Sequence, residues 1–81
     1  MDKQIVLYGA PWCSDCRRSR VFLDENKVEY EYVDIDQDEK GADKVVQINK
    51  GLRSIPTIVF PDGAVLVEPS NEQLKEKLKL D

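Results

Sequence analysis

With 81 residues, the chain is sized for one small domain around a single core. Its 41% apolar and 35% charged residues suit a water-soluble globular protein. The net charge of −4 argues against general binding to nucleic acid or to anionic membranes, which needs a basic face, and no apolar run nears the ~20 residues of a membrane span. Strand-like sequence begins at Gln4, where a secretory leader would place a basic segment and a long apolar stretch, so the expected location is the cytoplasm.

Residues 4–8 read as the first strand. Ile5-Val6-Leu7-Tyr8 is apolar at four successive positions, the pattern of a strand buried on both faces. After a turn, Gly9-Ala10-Pro11, comes Trp12-Cys13-Ser14-Asp15-Cys16, which holds the only two cysteines of the chain in a C-x-x-C spacing. Residues 14–26 read as a helix, with Cys16 and Leu23 seven apart and Val21 and Phe22 beside them. Residues 29–34 read as a second strand, with Tyr30 and Tyr32 on one face and charged residues alternating with them. The acidic stretch 34–39 reads as solvated loop leading into a second helix over 40–49. There Ala42, Val45, Val46 and Asn49 fall at i, i+3, i+4 and i+7.

Gly51 marks a helix stop. Residues 57–60 and 64–67 are strand-like and are joined by Pro61-Asp62-Gly63, so they predict a hairpin. Ser70-Asn71-Glu72-Gln73 fits a capping box with Ser70 as N-cap, and Leu74 and Leu78 share one side of the helix that follows. No repeat, linker or low-complexity segment divides the chain, so residues 1–81 are expected to form a single domain. The order βαβ-α-ββα predicts an α/β fold, with a four-stranded mixed sheet flanked by three helices. Its first half makes a right-handed parallel crossover and its second half adds an antiparallel hairpin.

A strand, a turn and a C-x-x-C opening a helix is how thiol–disulfide oxidoreductases present a reactive thiolate. Unpaired N–H groups and the positive end of the helix dipole favour the thiolate of Cys13. A purely structural disulfide between cysteines so close would close a tiny loop and remove little unfolded-state entropy. Cys13, at the exposed helix start, is the expected nucleophile. Cys16, one turn in, is the expected resolving thiol, displacing the product from the mixed disulfide.

Arg17 lies four residues after Cys13 on the same helical face and is expected to add positive potential at the sulfur. The alternative for Arg17, Arg18 and Arg20 is a solvated face. Asp15 opposes the thiolate, by about 0.6 kcal/mol at about 7 Å in water-like surroundings, which the dipole and Arg17 outweigh. Trp12 is expected to form a flat apolar wall for substrate, the alternative being partial core burial. Arg53 is placed to meet a substrate carboxylate by bidentate hydrogen bonds. Two cysteines and no histidine cannot supply the four ligands of a structural zinc, so no metal site is expected within one chain. The competing function is an iron–sulfur cluster or metal module formed by a dimer with external thiols, and a third is a redox-inert interaction domain.

Three sequence blocks carry a family resemblance: Trp12-Cys13-Ser14-Asp15-Cys16, Ser54-Ile55-Pro56-Thr57 about forty residues later, and Asp62-Gly63 followed by Glu68-Pro69-Ser70. On these the chain resembles the glutaredoxin branch of the thioredoxin fold over nearly its whole length, in the manner of mycoredoxin-like and ribonucleotide-reductase-type redoxins. The resemblance implies a cis Pro56 beside the active cysteine, leaving the backbone of Ile55 free to pair with an incoming peptide or thiol. It also implies reduction of protein disulfides or small-thiol mixed disulfides by a monomer with no bound cofactor. The electron donor would be glutathione, mycothiol, or NADPH through a thioredoxin reductase. Two departures weigh against glutathione. Ala10 stands where many glutathione-using relatives carry lysine, and Glu68-Pro69-Ser70-Asn71 replaces their Gly-Gly pair and aspartate. Ser70, Asn71 and their helix N-terminus could hold another carboxylate or a hydroxyl-rich thiol.

Overall fold

The computed structural model describes residues 4–80, which form β1 (Ile5–Gly9), α1 (Ser14–Glu25), β2 (Tyr30–Asp34), α2 (Glu39–Ile48), β3 (Thr57–Val59), β4 (Val65–Val67) and α3 (Asn71–Leu78). The four strands make one sheet in the order β2-β1-β3-β4. β1 runs parallel to β2, from Ile5 opposite Tyr30 to Gly9 opposite Asp34, with α1 as the crossover. β1 pairs antiparallel with β3, Val6 opposite Val59 and Tyr8 opposite Thr57, and β3 turns back antiparallel into β4. The mixed sheet and three helices expected of the sequence are therefore present.

An inner strand must be apolar, and β1 is: Ile5 and Leu7 join Leu23 of α1, Ile58 and Phe60 at the end of the chain's hairpin arm, and Leu74 of α3 in one buried cluster. Phe22, Val28, Tyr30, Tyr32, Ala64, Leu66 and Leu78 pack against it. Each aliphatic side chain fully buried there contributes about 1.5–3 kcal/mol. Val45 anchors α2, and Gly41 lets that helix close on the sheet, since a Cβ at Gly41 would lie 2.6 Å from Val33 Cγ1.

Side-chain caps fix the helix ends. α2 starts at Glu39, one residue earlier than its apolar stripe suggests, because the Asp38 carboxylate accepts the Gly41 N–H at 3.1 Å and serves as N-cap. The capping box of α3 is complete: Ser70 Oγ accepts the Gln73 N–H at 3.1 Å, and Gln73 Oε1 accepts the Ser70 N–H at 2.8 Å. In the hairpin, Asp62 Oδ1 accepts the Ala64 N–H at 3.0 Å, and its Oδ2 accepts from Lys77 Nζ at 2.6 Å, tying the turn to α3. Gly63 takes a φ of 92°, which a residue with a side chain rarely adopts. Among the described residues, no helix is long and apolar enough to cross a membrane.

Candidate active site

The parallel pair β1 and β2 ends at one edge of the sheet, and the loops that leave these two strands lie side by side there, with the Ile35 N–H donating to Gly9 O at 2.9 Å. Ligand sites of α/β sheets form at such edges. The chain leaves β1 through buried Ala10 and exposed Pro11 and Trp12, and the Cys13 N–H donates back to Ala10 O at 3.2 Å. Cys13 is the N-cap residue of α1, with extended backbone at φ −85° and ψ 114°. Its sulfur takes the place of a capping oxygen and accepts the Cys16 N–H at 3.2 Å. An orphan N–H of the first turn thus points at the sulfur of the half-buried cysteine.

Cys16 differs sharply from its neighbour. It is completely buried, and burial first, then its hydrogen bond with Cys13, pushes its thiol up to about 12. The Gly9 backbone makes room for it, because a Cβ on Gly9 would stand 2.8 Å from Cys16 Sγ. Both cysteines are free thiols, one open to reagents and the other shielded behind it.

The third component enters from β3. The Ile55–Pro56 peptide is cis, and the antiparallel register continues Tyr8 opposite Thr57 so that these residues meet the sheet beside the end of β1. Thr57 Oγ1 donates to Ser54 O at 2.7 Å and accepts from Asn49 Nδ2 at 3.1 Å, while Pro56 O accepts the Glu68 N–H at 2.8 Å. The N–H and C=O of Ile55 have no hydrogen-bond partner among the described residues.

Trp12 is 69% exposed, which rules out partial core burial. Its indole Nε1–H donates to Asp36 Oδ2 at 2.6 Å, and Arg53 Nη2 lies 3.4 Å from the other oxygen, Oδ1. Arg53 therefore already has a carboxylate of its own chain. Asp36 belongs to the acidic stretch, and residues 36–39 are exposed there as a solvated loop should be, but the carboxylate is not unengaged: its own N–H donates to Asp34 Oδ1 at 2.9 Å, and its side chain joins two flanks of the cysteine site. The parallel pairing of β1 and β2 is the signal that places this loop beside the cysteines. Charge composition alone conceals it.

Two of the three arginines of α1, Arg18 and Arg20, differ from a plain solvated face. Arg18 donates from Nη1 to Asn71 Oδ1 at 2.8 Å and from Nη2 to Pro69 O at 3.1 Å, and lies 3.6 Å from Asp15 Oδ1. It ties the active helix to the start of α3 and partly offsets the Asp15 charge. Arg20 stacks its guanidinium 3.8 Å over the Tyr32 ring. Arg17 is exposed and makes no side-chain hydrogen bond or ion pair among the described residues, so no partner draws it toward the sulfur. Ser70 and Asn71 are exposed, but the Ser70 hydroxyl is committed to the cap and Asn71 Oδ1 to Arg18. Among the described residues, no three histidine, cysteine or acidic side chains converge as metal ligands.

A half-buried cysteine capping a helix, a fully buried partner one turn below and an unpaired backbone beside a cis proline define a thioredoxin-fold thiol–disulfide oxidoreductase. The family model described as Glutaredoxin matches residues 5–65, and the chain belongs to the glutaredoxin family. It is 36% identical over 74 residues to a Mycobacterium tuberculosis protein that its name places among the glutaredoxins, covering 91% of this chain and 88% of that one. Mycoredoxin 1 of Corynebacterium glutamicum is 32% identical over 75 residues, covering 93% and 92%. The crystal structure of a glutaredoxin from Archaeoglobus fulgidus is similar with a TM-score of 0.81 at 29% identity, covering 95% of this chain and 87% of that one.

Proposed function

We propose that the protein is a dithiol redoxin that reduces protein disulfides or small-thiol mixed disulfides, with Cys13 as nucleophile and Cys16 as resolving thiol. The supporting observation is the contrast between the two sulfurs: Cys13 Sγ is accessible and receives a helix N–H at 3.2 Å, whereas Cys16 is sealed and held as the thiol. The Cys13 thiolate attacks one sulfur of the substrate disulfide, the S–S bond breaks, and the departing sulfur leaves as thiolate and takes up a proton. Cys16 then gives up its proton and attacks Cys13 Sγ. The Cys13–Cys16 disulfide forms and the second product thiol is released, completing a two-electron transfer. Two donor thiols, or a reductase, return the electrons.

Trp12 gives substrate a flat wall, Ile55 offers a free N–H and C=O for strand-like pairing, and Arg53 offers a cation. Ser70 and Asn71, at the start of α3, are proposed to add substrate contacts through whatever hydrogen-bonding capacity their present bonds leave. Likeness to a mycoredoxin supports a small thiol as donor, and mycothiol in particular. Ala10 and Glu68-Pro69-Ser70-Asn71 weigh against glutathione, with NADPH through a thioredoxin reductase as the other route. We place this monomeric carrier in the cytoplasm, where a lone cysteine pair stays reduced between turnovers.

Turnover separates the two thiols. Cys13→Ser abolishes reduction of every disulfide, whereas Cys16→Ser loses protein-disulfide reduction and keeps turnover of small-thiol mixed disulfides. Disulfide reduction persisting in Cys13→Ser overturns the assignment.

A further inference from the structure

We propose that Asp36 is a specificity-determining residue, which holds Arg53 against the carboxylate of an incoming thiol and so favours uncharged small thiols and disulfides over anionic ones. The inference rests on the disulfide-reducing function above and concerns which substrates that site accepts.

One carboxylate reaches two flanks of the site. Asp36 Oδ2 accepts from the Trp12 indole, next to the nucleophile, and Asp36 Oδ1 faces Arg53, three residues before the cis proline. The carboxylate is not on a loose loop. The Asp36 N–H is held by Asp34 Oδ1 at 2.9 Å, and the preceding Ile35 N–H by Gly9 O at 2.9 Å. Its two bonds are unequal. The indole bond is short at 2.6 Å, whereas the guanidinium sits at 3.4 Å, near the outer limit of a hydrogen bond, with both side chains substantially exposed. The Arg53 contact is therefore the exchangeable one, as exposed ion pairs generally are.

A substrate carboxylate that reaches Arg53 meets two obstacles. It must take the guanidinium from Asp36 Oδ1 before a two-pronged bond can form. Asp36 also stays in place afterwards, because Trp12 still holds it, and its negative charge then faces the newcomer. An uncharged thiol meets neither obstacle. Asp36→Asn removes the charge while keeping an oxygen for the indole, so it isolates the electrostatic part.

The test measures second-order rates of reduction of dithiodipropionate, which carries two carboxylates, and of hydroxyethyl disulfide, which carries none. Asp36→Asn is expected to raise the anionic-to-neutral rate ratio about 1.4- to fivefold, the span of one exposed ion pair. Glu39→Gln, with the same charge change nearby, gives the background shift expected from net charge alone. In an Arg53→Gln background, Asp36→Asn is expected to move the ratio no more than Glu39→Gln does. A ratio for Asp36→Asn equal to that of Glu39→Gln, or an equal rise with Arg53 removed, overturns the inference while leaving the function intact. Failure of the wild-type protein to reduce either disulfide overturns the function and the inference with it.

Discussion

Gly9 lies in tight contact with the buried Cys16, and Gly9→Ala probes that contact. The added Cβ would stand 2.8 Å from Cys16 Sγ, 3.1 Å from Cys16 Cβ and 3.2 Å from Leu7 Cδ2. The first distance is shorter than real Cβ contacts allow, and Cys16 is fully buried, so the sulfur or the first turn of α1 must shift. Gly9 has no left-handed backbone to protect, so alanine is conformationally compatible there and restricts the unfolded chain by about 0.4–1 kcal/mol in its favour. Overpacking typically costs about 1–3 kcal/mol and outweighs that gain. A net loss near 1 kcal/mol corresponds to a Tm lower by about 4–8 °C in a domain of this size. Urea unfolding of Gly9→Ala, Cys16→Ala and the double variant gives the coupling. The Gly9→Ala loss should shrink once the sulfur is gone, leaving only the contacts with Leu7 and the Cβ of residue 16. A Gly9→Ala protein as stable as wild type, or an undiminished loss in the Cys16→Ala background, refutes the clash as the reason for glycine at this position.

Two further outcomes follow from the same geometry. The folded Cys16 thiol is raised to about 12, above an unfolded cysteine, so the folded state retains its proton longer. This contribution is present in full below the unfolded thiol's range and is lost as pH climbs toward 12. The urea midpoint of wild type should therefore fall more steeply above about pH 9 than that of Cys16→Ala, and parallel slopes contradict the buried thiol. Arg18→Ala should cost about 1 kcal/mol of stability through its bonds to Asn71 and Pro69 O, whereas Arg17→Ala should stay within about 0.5 kcal/mol, both read by thermal unfolding.

The elements were legible wherever pattern and local chemistry agree. The apolar run of β1, the capping box of α3 and the Pro-Asp-Gly turn each specify their structure within a few residues. α2 begins a residue early because Asp38 acts as a cap, a role hidden in a run of acidic residues. The cysteine pair was equally legible, since its spacing fixes one sulfur at the helix cap and the other a turn inside. What sits around it depends on how distant segments meet. Arg17 and Arg18 are neighbours in sequence, and only the docking of α3 decides that Arg18 finds a partner there. Asp36 is exposed, as its acidic surroundings suggest, and only the parallel pairing of β1 and β2 sets its loop beside Trp12.

The most direct test of the account is to trap the mixed disulfide. Cys16→Ser and Cys13→Ser proteins, reduced and then mixed with a small disulfide at neutral pH, are digested and mapped by mass spectrometry. The account predicts a rapid adduct on Cys13 in the first variant and little reaction at the buried, protonated Cys16 in the second. Rapid adduct formation on Cys16 in the native fold, or an inert Cys13, contradicts it.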